Sequence, residues 1–225
     1  MNEPGPRESF FRRYLEPAER LNEILFGLIM VLSFTLTAGL AVGDEPGAAR
    51  TLLLATLGCN LAWGIIDGAM YLNGALLERS RRLRAVEAVK AAPDEATAFA
   101  EIEQAIEGAL TSLATEEERG RLYRTIYEVV RRAPTGRARL GKEDLYGALA
   151  SAVLVVLSTV PAAIPFFFIK EPWRALRVSN LLLVGLLFVV GHQWGKEAHA
   201  SPWLAGFVFL GAGIALVALA IALGG

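Results

Sequence analysis

The chain has 225 residues, 54% of them hydrophobic and 20% charged, against about 45–50% apolar in ordinary soluble domains. That composition disfavours a soluble enzyme. With 22 Lys and Arg against 23 Asp and Glu the net charge is −1, which lacks the basic excess that nucleic-acid binding requires, so no nucleic-acid partner is expected. One cysteine, Cys59, and two histidines supply neither an intramolecular disulfide nor a zinc or redox set.

In chain order, residues 1–23 interleave Phe10, Phe11 and Tyr14 with Arg7, Arg12, Arg13 and Arg20. Two readings fit: an amphipathic helix lying at the cytoplasmic headgroups, or a disordered tail. No apolar run precedes Arg20, so the first span is expected to be retained rather than cleaved. Charged residues then avoid five segments almost completely: 24–42, 51–77, 145–169, 178–195 and 203–224. Each approaches the roughly 20 residues a helix needs to cross a bilayer core. The expected fold class is therefore all-α, a polytopic membrane protein of five transmembrane helices with a three-helix cytoplasmic insert between the second and third. Its parts are 1–23, spans one and two over 24–77, the insert over 78–144, and spans three to five over 145–225.

Orientation follows from the bias of lysine and arginine near the span ends. The insert opens with Glu78-Arg79-Ser80-Arg81-Arg82-Leu83-Arg84 and closes with Arg131, Arg132, Arg137, Arg139 and Lys142. The N-terminus and insert are expected to be cytoplasmic and the C-terminus to lie on the opposite side, in the cell membrane. Lys170, Arg174 and Arg177 vote weakly against this. Within the insert, apolar recurrences at Ile102, Ala105, Ile106, Ala109 and Leu110 and at Leu122, Ile126, Val129 and Val130 predict helices near 78–92, 94–111 and 116–133. Asp94 is a plausible N-cap, and Thr115 with Glu118 forms a capping-box pattern. Residues 91–118 hold eight acids and no Lys or Arg. Glu103 and Glu107, one turn apart, either share a hard cation or form a solvated helix face.

An ionised group at membrane depth costs about 2.5–3.5 kcal/mol on insertion scales, which makes each one a functional candidate. Asp67 is the acid deep inside a span. Asn60, Gly64, Met70, Tyr71 and Asn73 share its helix, and the first span stacks Glu23, Met30 and Thr37 seven residues apart. Carboxylate, amide and thioether together suit Fe²⁺ or Mn²⁺ better than Mg²⁺. Met30 and Met70 equally suit packing, and Asn60 and Asn73 suit helix-to-helix bonding. Pro161 and Pro165 free backbone carbonyls in the third span. No nucleophile triad, phosphate loop or cofactor motif is present, so no enzyme and no resident cofactor are expected.

The layout of two spans, an acidic helical insert and three spans resembles the vacuolar iron transporter (Ccc1-like) family. Ala150-Ser151 through Val160-Pro161-Ala162-Ala163-Ile164-Pro165-Phe166-Phe167, Trp203-Leu204-Ala205-Gly206 and Gly211-Ala212-Gly213 carry the resemblance best. It implies a homodimer that exchanges cytosolic Fe²⁺ or Mn²⁺ for protons, with acidic insert helices binding the metal. The family usually has Asn-Asp-Gly in the first span and a Ser-Met pair in the second. Aligned on Gly27, the acid's place falls to Met30; aligned on Gly64, Asp67 stands for the serine and Gly68 for the methionine. Acid and thioether have changed helices, which leads to the expectation that Met30 and Asp67 face each other across the dimer axis. The expected metal path runs from Glu101, Glu103 and Glu107 past Glu23 to Asp67, Met30, Asn60 and Met70, with protons competing for Asp67. The alternative is a non-transporting membrane scaffold or sensor whose insert binds a partner.

Overall fold

The computed structural model describes residues 9–41, 47–106 and 114–222, and every regular element among them is helical. The helices are α1 (Phe10–Tyr14), α2 (Pro17–Ala41), α3 (Ala48–Ala91), α4 (Glu95–Ala105), α5 (Glu116–Arg132), α6 (Lys142–Leu157), α7 (Thr159–Phe168), α8 (Pro172–Glu197) and α9 (Pro202–Ala222). Three helical stretches among the described residues are long and apolar enough to cross a membrane: Arg50–Ala91, Lys142–Phe168 and Pro172–Glu197. Pro202–Leu216 is a shorter apolar helix.

Several boundaries differ from the sequence expectation for identifiable reasons. The expected amphipathic segment 1–23 is described from Ser9 onward, where it contains the short α1. Its last turns, from Pro17, already belong to α2, because proline at a first helical position gives up no hydrogen bond and fixes a helical φ. No break separates the second span from the first insert helix, and α3 runs 44 residues. Arg, Leu, Glu and Ala at 77–91 are all good helix formers, and nothing stops the backbone before Pro93. The third span, conversely, is divided at Ser158. Pro161 has no N–H to give the Leu157 carbonyl, so α6 ends there and α7 begins. Ser158 still bonds back, its amide to the Leu154 carbonyl at 3.0 Å and its hydroxyl to that of Val155 at 2.6 Å.

Contacts divide the chain into two units, one comprising residues up to Tyr71 and from Lys142 onward, the other Leu72–Gly141. In the first, Leu28, Val31 and Leu32 of α2, Ala162 of α7 and Leu183, Leu187 and Val190 of α8 form the core. Burying side chains of this size contributes about 1.5–3 kcal/mol each relative to water, but lipid offers them an equally apolar medium. In a bilayer, close packing and interhelical hydrogen bonds must therefore decide the arrangement. Thr35 donates to Asn180 Oδ1 at 2.7 Å and Ser179 to the Ala162 carbonyl at 2.9 Å. Gly191, Gly206 and Gly213 sit against Phe209, Phe188 and Leu187, whereas Gly185 and Gly211 meet nothing within 4 Å.

In the second unit the end of α3, α4 and α5 close around Val89, Ala98, Ile102 and Tyr123. Both expected caps form. Asp94 Oδ1 accepts the Thr97 amide at 2.7 Å, and Glu118 Oε2 accepts the Thr115 amide at 2.8 Å while Thr115 Oγ1 accepts that of Glu118 at 3.4 Å. These backbone hydrogen bonds hold both carboxyls below their ordinary pKa. The expected helix 94–111 is described only as far as Ile106.

Candidate functional site

The site grows from the way α3 is packed. Its buried face steps by four through Leu52, Thr56, Asn60, Gly64 and Gly68, so the side chains on it are short or polar and a neighbouring helix can come close. That neighbour is α6. A Cβ placed on Gly64 would lie 2.8 Å from the Ala152 carbonyl oxygen, and one on Gly68 would lie 3.0 Å from that of Ala148. α2 packs on another side of α3, with Phe26 and Trp63 meeting edge to face at 5.9 Å between ring centres.

Asp67 lies at the edge of this seam, half-buried, and accepts a hydrogen bond at Oδ2 from the fully buried Ser151 hydroxyl. Glu23 of α2 reaches the same point, its carboxyl lying beside the Asp67 carboxyl and Ser151. Three helices thus bring two carboxyls and a hydroxyl together. Two carboxylates in contact repel, and a proton or a cation placed between such groups relieves that repulsion.

Polar groups continue on either side of this pair at intervals of four to eight residues, about 6–12 Å of helix rise. One turn along α3 from Asp67 stands Tyr71, and seven residues before Ser151 stands Asp144, only 8% exposed. Together with Glu143, Arg13 and Tyr14 they line a cavity of about 260 Å³. On the other side, the fully buried Asn60 donates through Nδ2 to Thr159 Oγ1 at 2.6 Å and to the Val155 carbonyl at 3.2 Å. The break between α6 and α7 lies beside that amide.

The remaining expected residues fall elsewhere. With Glu23 opposite Asp67 and Phe26 opposite Trp63, the two helices run antiparallel, so Met30 stands near the level of Asn60. That is about 10 Å along α2 from Glu23. Met70 is 66% exposed, one turn from the exposed Ile66 on the outer face of α3, and does not share the Asp67 seam. Glu101 and Glu103, two residues apart on α4, project about 160° from one another and do not form a pair. Glu103 instead joins Glu116, Arg119 and Tyr123 along a groove of about 400 Å³. The Tyr123 hydroxyl is buried there with no hydrogen-bond partner among the described residues, and burial, followed by the negative charge of Glu103, pushes its pKa up. Glu107 lies outside the described residues. Among the described residues, no three His, Cys, Asp or Glu side chains are grouped so as to hold a metal ion.

Sequence reading missed Ser151, Asp144 and Thr159. A signal was present: Asp144, Ala148, Ser151 and Val155 repeat at four, three and four along α6, which is the pattern of one helix face. No protein-family model matches the chain, and no characterised protein matches it.

Proposed function

We propose that the chain is a five-span membrane protein that moves a divalent transition-metal ion, Fe²⁺ or Mn²⁺, out of the cytosol in exchange for protons, working as a homodimer. The observation that supports it is the meeting of Glu23, Asp67 and Ser151 from three helices inside the helical unit. A carboxyl pair binds a divalent ion when both groups are ionised and releases it when one takes a proton. Cation and proton therefore compete for one site, which is the least chemistry that antiport requires. Glu143 and Asp144, lining the cavity one helical step away, would gather cations at the cytoplasmic mouth. Asn60 and Thr159, on the other side of the pair, would provide the next oxygen ligands along the path.

Transport into proteoliposomes with an acidic lumen tests this directly. Mn²⁺ uptake that depends on the pH gradient is expected for the parent chain, with Asp67→Asn and Glu23→Gln each lowering it at least tenfold. Met70→Leu, on the outer face, should leave it within twofold. Parent-like uptake in both acid variants, or no uptake by the parent, would favour the scaffold reading.

A further inference from the structure

The corner where α1 turns into α2 carries a second site, of opposite charge. Leu15 is buried at that corner against Ala150 and Leu154 of α6, with Phe11, Tyr14, Ile24 and Tyr71 around it, so the turn is fixed by packing. Around it lies a cavity of about 430 Å³ lined by Arg12, Arg13, Tyr14, Leu15, Glu16, Pro17 and Arg20. None of the three arginines forms an ion pair among the described residues. Among the described acids outside the lining, Glu19 accepts the Glu16 amide at 2.8 Å, and Glu143 and Asp144 share the adjoining cavity with Arg13 and Tyr14. The lining of this cavity itself carries three guanidinium groups against the single carboxylate of Glu16.

The surroundings identify the kind of anion. Phe10, Tyr14 and Tyr146 stack into an aromatic cluster, with ring centres 5.1 Å (Phe10–Tyr14) and 5.2 Å (Tyr14–Tyr146) apart. Aromatic rings beside arginines at the end of a spanning helix mark headgroup depth. From Tyr146 the outer face of α6 continues through Leu145 and Leu149, both more than half exposed. A cationic cavity that opens beside an apolar strip offers one surface to a phosphate and another to an acyl chain. Guanidinium forks match phosphate oxygens two at a time, which a point charge cannot do.

We propose that Arg12, Arg13 and Arg20 bind the phosphate of an anionic phospholipid, with its acyl chains lying along Phe10, Tyr146 and Leu149. This reading depends on the chain being embedded in a bilayer and not on ion transport. Basic cavities at the cytoplasmic ends of spanning helices are suited to such headgroups. Bound lipid would tie α1 to α6 and so hold the cavity that Arg13 and Tyr14 share with Asp144.

Thermal unfolding of the full chain in neutral detergent is the test, with short-chain phosphatidylglycerol, short-chain phosphatidylcholine or inorganic phosphate added at equal concentration. Phosphatidylglycerol is expected to raise the midpoint, and the other two to give less than a third of that rise. The variant R12Q/R13Q/R20Q should lose the response, whereas K170Q/R174Q/R177Q, which removes equal charge at the start of α8, should keep it. Equal protection by inorganic phosphate would overturn the lipid assignment, as would a response retained by R12Q/R13Q/R20Q. Native mass spectrometry of the parent chain from an equimolar lipid mixture gives a reading that needs no variant: retained phosphatidylglycerol should exceed phosphatidylcholine at least fivefold, and equal retention would overturn the proposal.

Discussion

Replacing Gly64 by alanine tests the packing that creates the seam. The added methyl would lie 2.8 Å from the Ala152 carbonyl oxygen and 3.0 Å from Val156 Cγ2. The first of these is backbone and cannot rotate away, so α3 and α6 must separate by several tenths of an ångström. Forcing a methyl into a packed interface costs about 1–3 kcal/mol, while glycine to alanine in a helix gains about 1 kcal/mol from propensity. Gly58 on the same helix separates the two effects, because a Cβ there meets nothing within 4 Å. The gain cancels between Gly58→Ala and Gly64→Ala, and the difference is the steric cost itself. At about 2–4 °C per kcal/mol for a chain of this length, a cost near 2 kcal/mol lowers the midpoint of Gly64→Ala by about 4–8 °C relative to Gly58→Ala. Thermal unfolding in detergent reads the difference. Equal midpoints, or a more stable Gly64→Ala, would refute the close approach of the two helices and with it the contact between Asp67 and Ser151 one turn away.

Two further outcomes follow from the geometry. Asn60→Ala removes two interhelical hydrogen bonds, each worth about 0.6 kcal/mol and at most about 1.7 inside a membrane. A double-mutant cycle with Thr159→Val should therefore return a coupling of about 0.5–1.5 kcal/mol, and zero coupling would show that the 2.6 Å contact contributes nothing. Acidification should loosen the starts of α4 and α5 first. Asp94 and Glu118 have folded pKa values below the ordinary 3.8 and 4.5, so their contribution is complete above those values and is lost as pH falls through the depressed ones. Amide exchange at Thr97 and Thr115, whose N–H groups these carboxylates accept, should accelerate as pH drops below about 4 relative to the intrinsic rate. Asp94→Asn should flatten that response at Thr97, and an unchanged profile would argue against the cap as its source.

Much of the architecture is legible in the sequence because the signals are local. Charge-free stretches locate the apolar helices, and the short-range chemistry of Asp94 and of Thr115 with Glu118 marks two helix starts. Element ends are harder. The backbone does not sense the edge of a membrane, so the run Arg79-Ser80-Arg81-Arg82 ends an apolar stretch without ending α3. In α5, Ile126 and Val130 of the apolar recurrence pack on the core beside Tyr123 and Tyr127 while Leu122 and Val129 stay exposed, because packing partners, not hydropathy, choose among several amphipathic faces.

The candidate site was only half legible for the same reason. Asp67 announces itself as a charge in an apolar helix. Its partner Glu23 stands 44 positions earlier and Ser151 stands 84 later, so their meeting depends on helix register that no short window of sequence contains. Spacing also misleads at Met70. At about 100° per residue Asp67 lies about 60° from Gly64 around the helix, but Met70 lies about 120° away, outside the seam. Sharing a broad face with the acid was not enough to place the thioether beside it.

The central claim is that a metal ion and a proton compete for the pair formed by Glu23 and Asp67, and calorimetry of Mn²⁺ binding measures that competition. Titrations of the detergent-solubilised chain at one pH in buffers of different ionisation enthalpy give the protons released per bound ion. About one proton per Mn²⁺ is expected from the parent chain when a single proton bridges the carboxyl pair, and none from Asp67→Asn. Binding by the parent without proton release, or unchanged release from Asp67→Asn, would contradict the account.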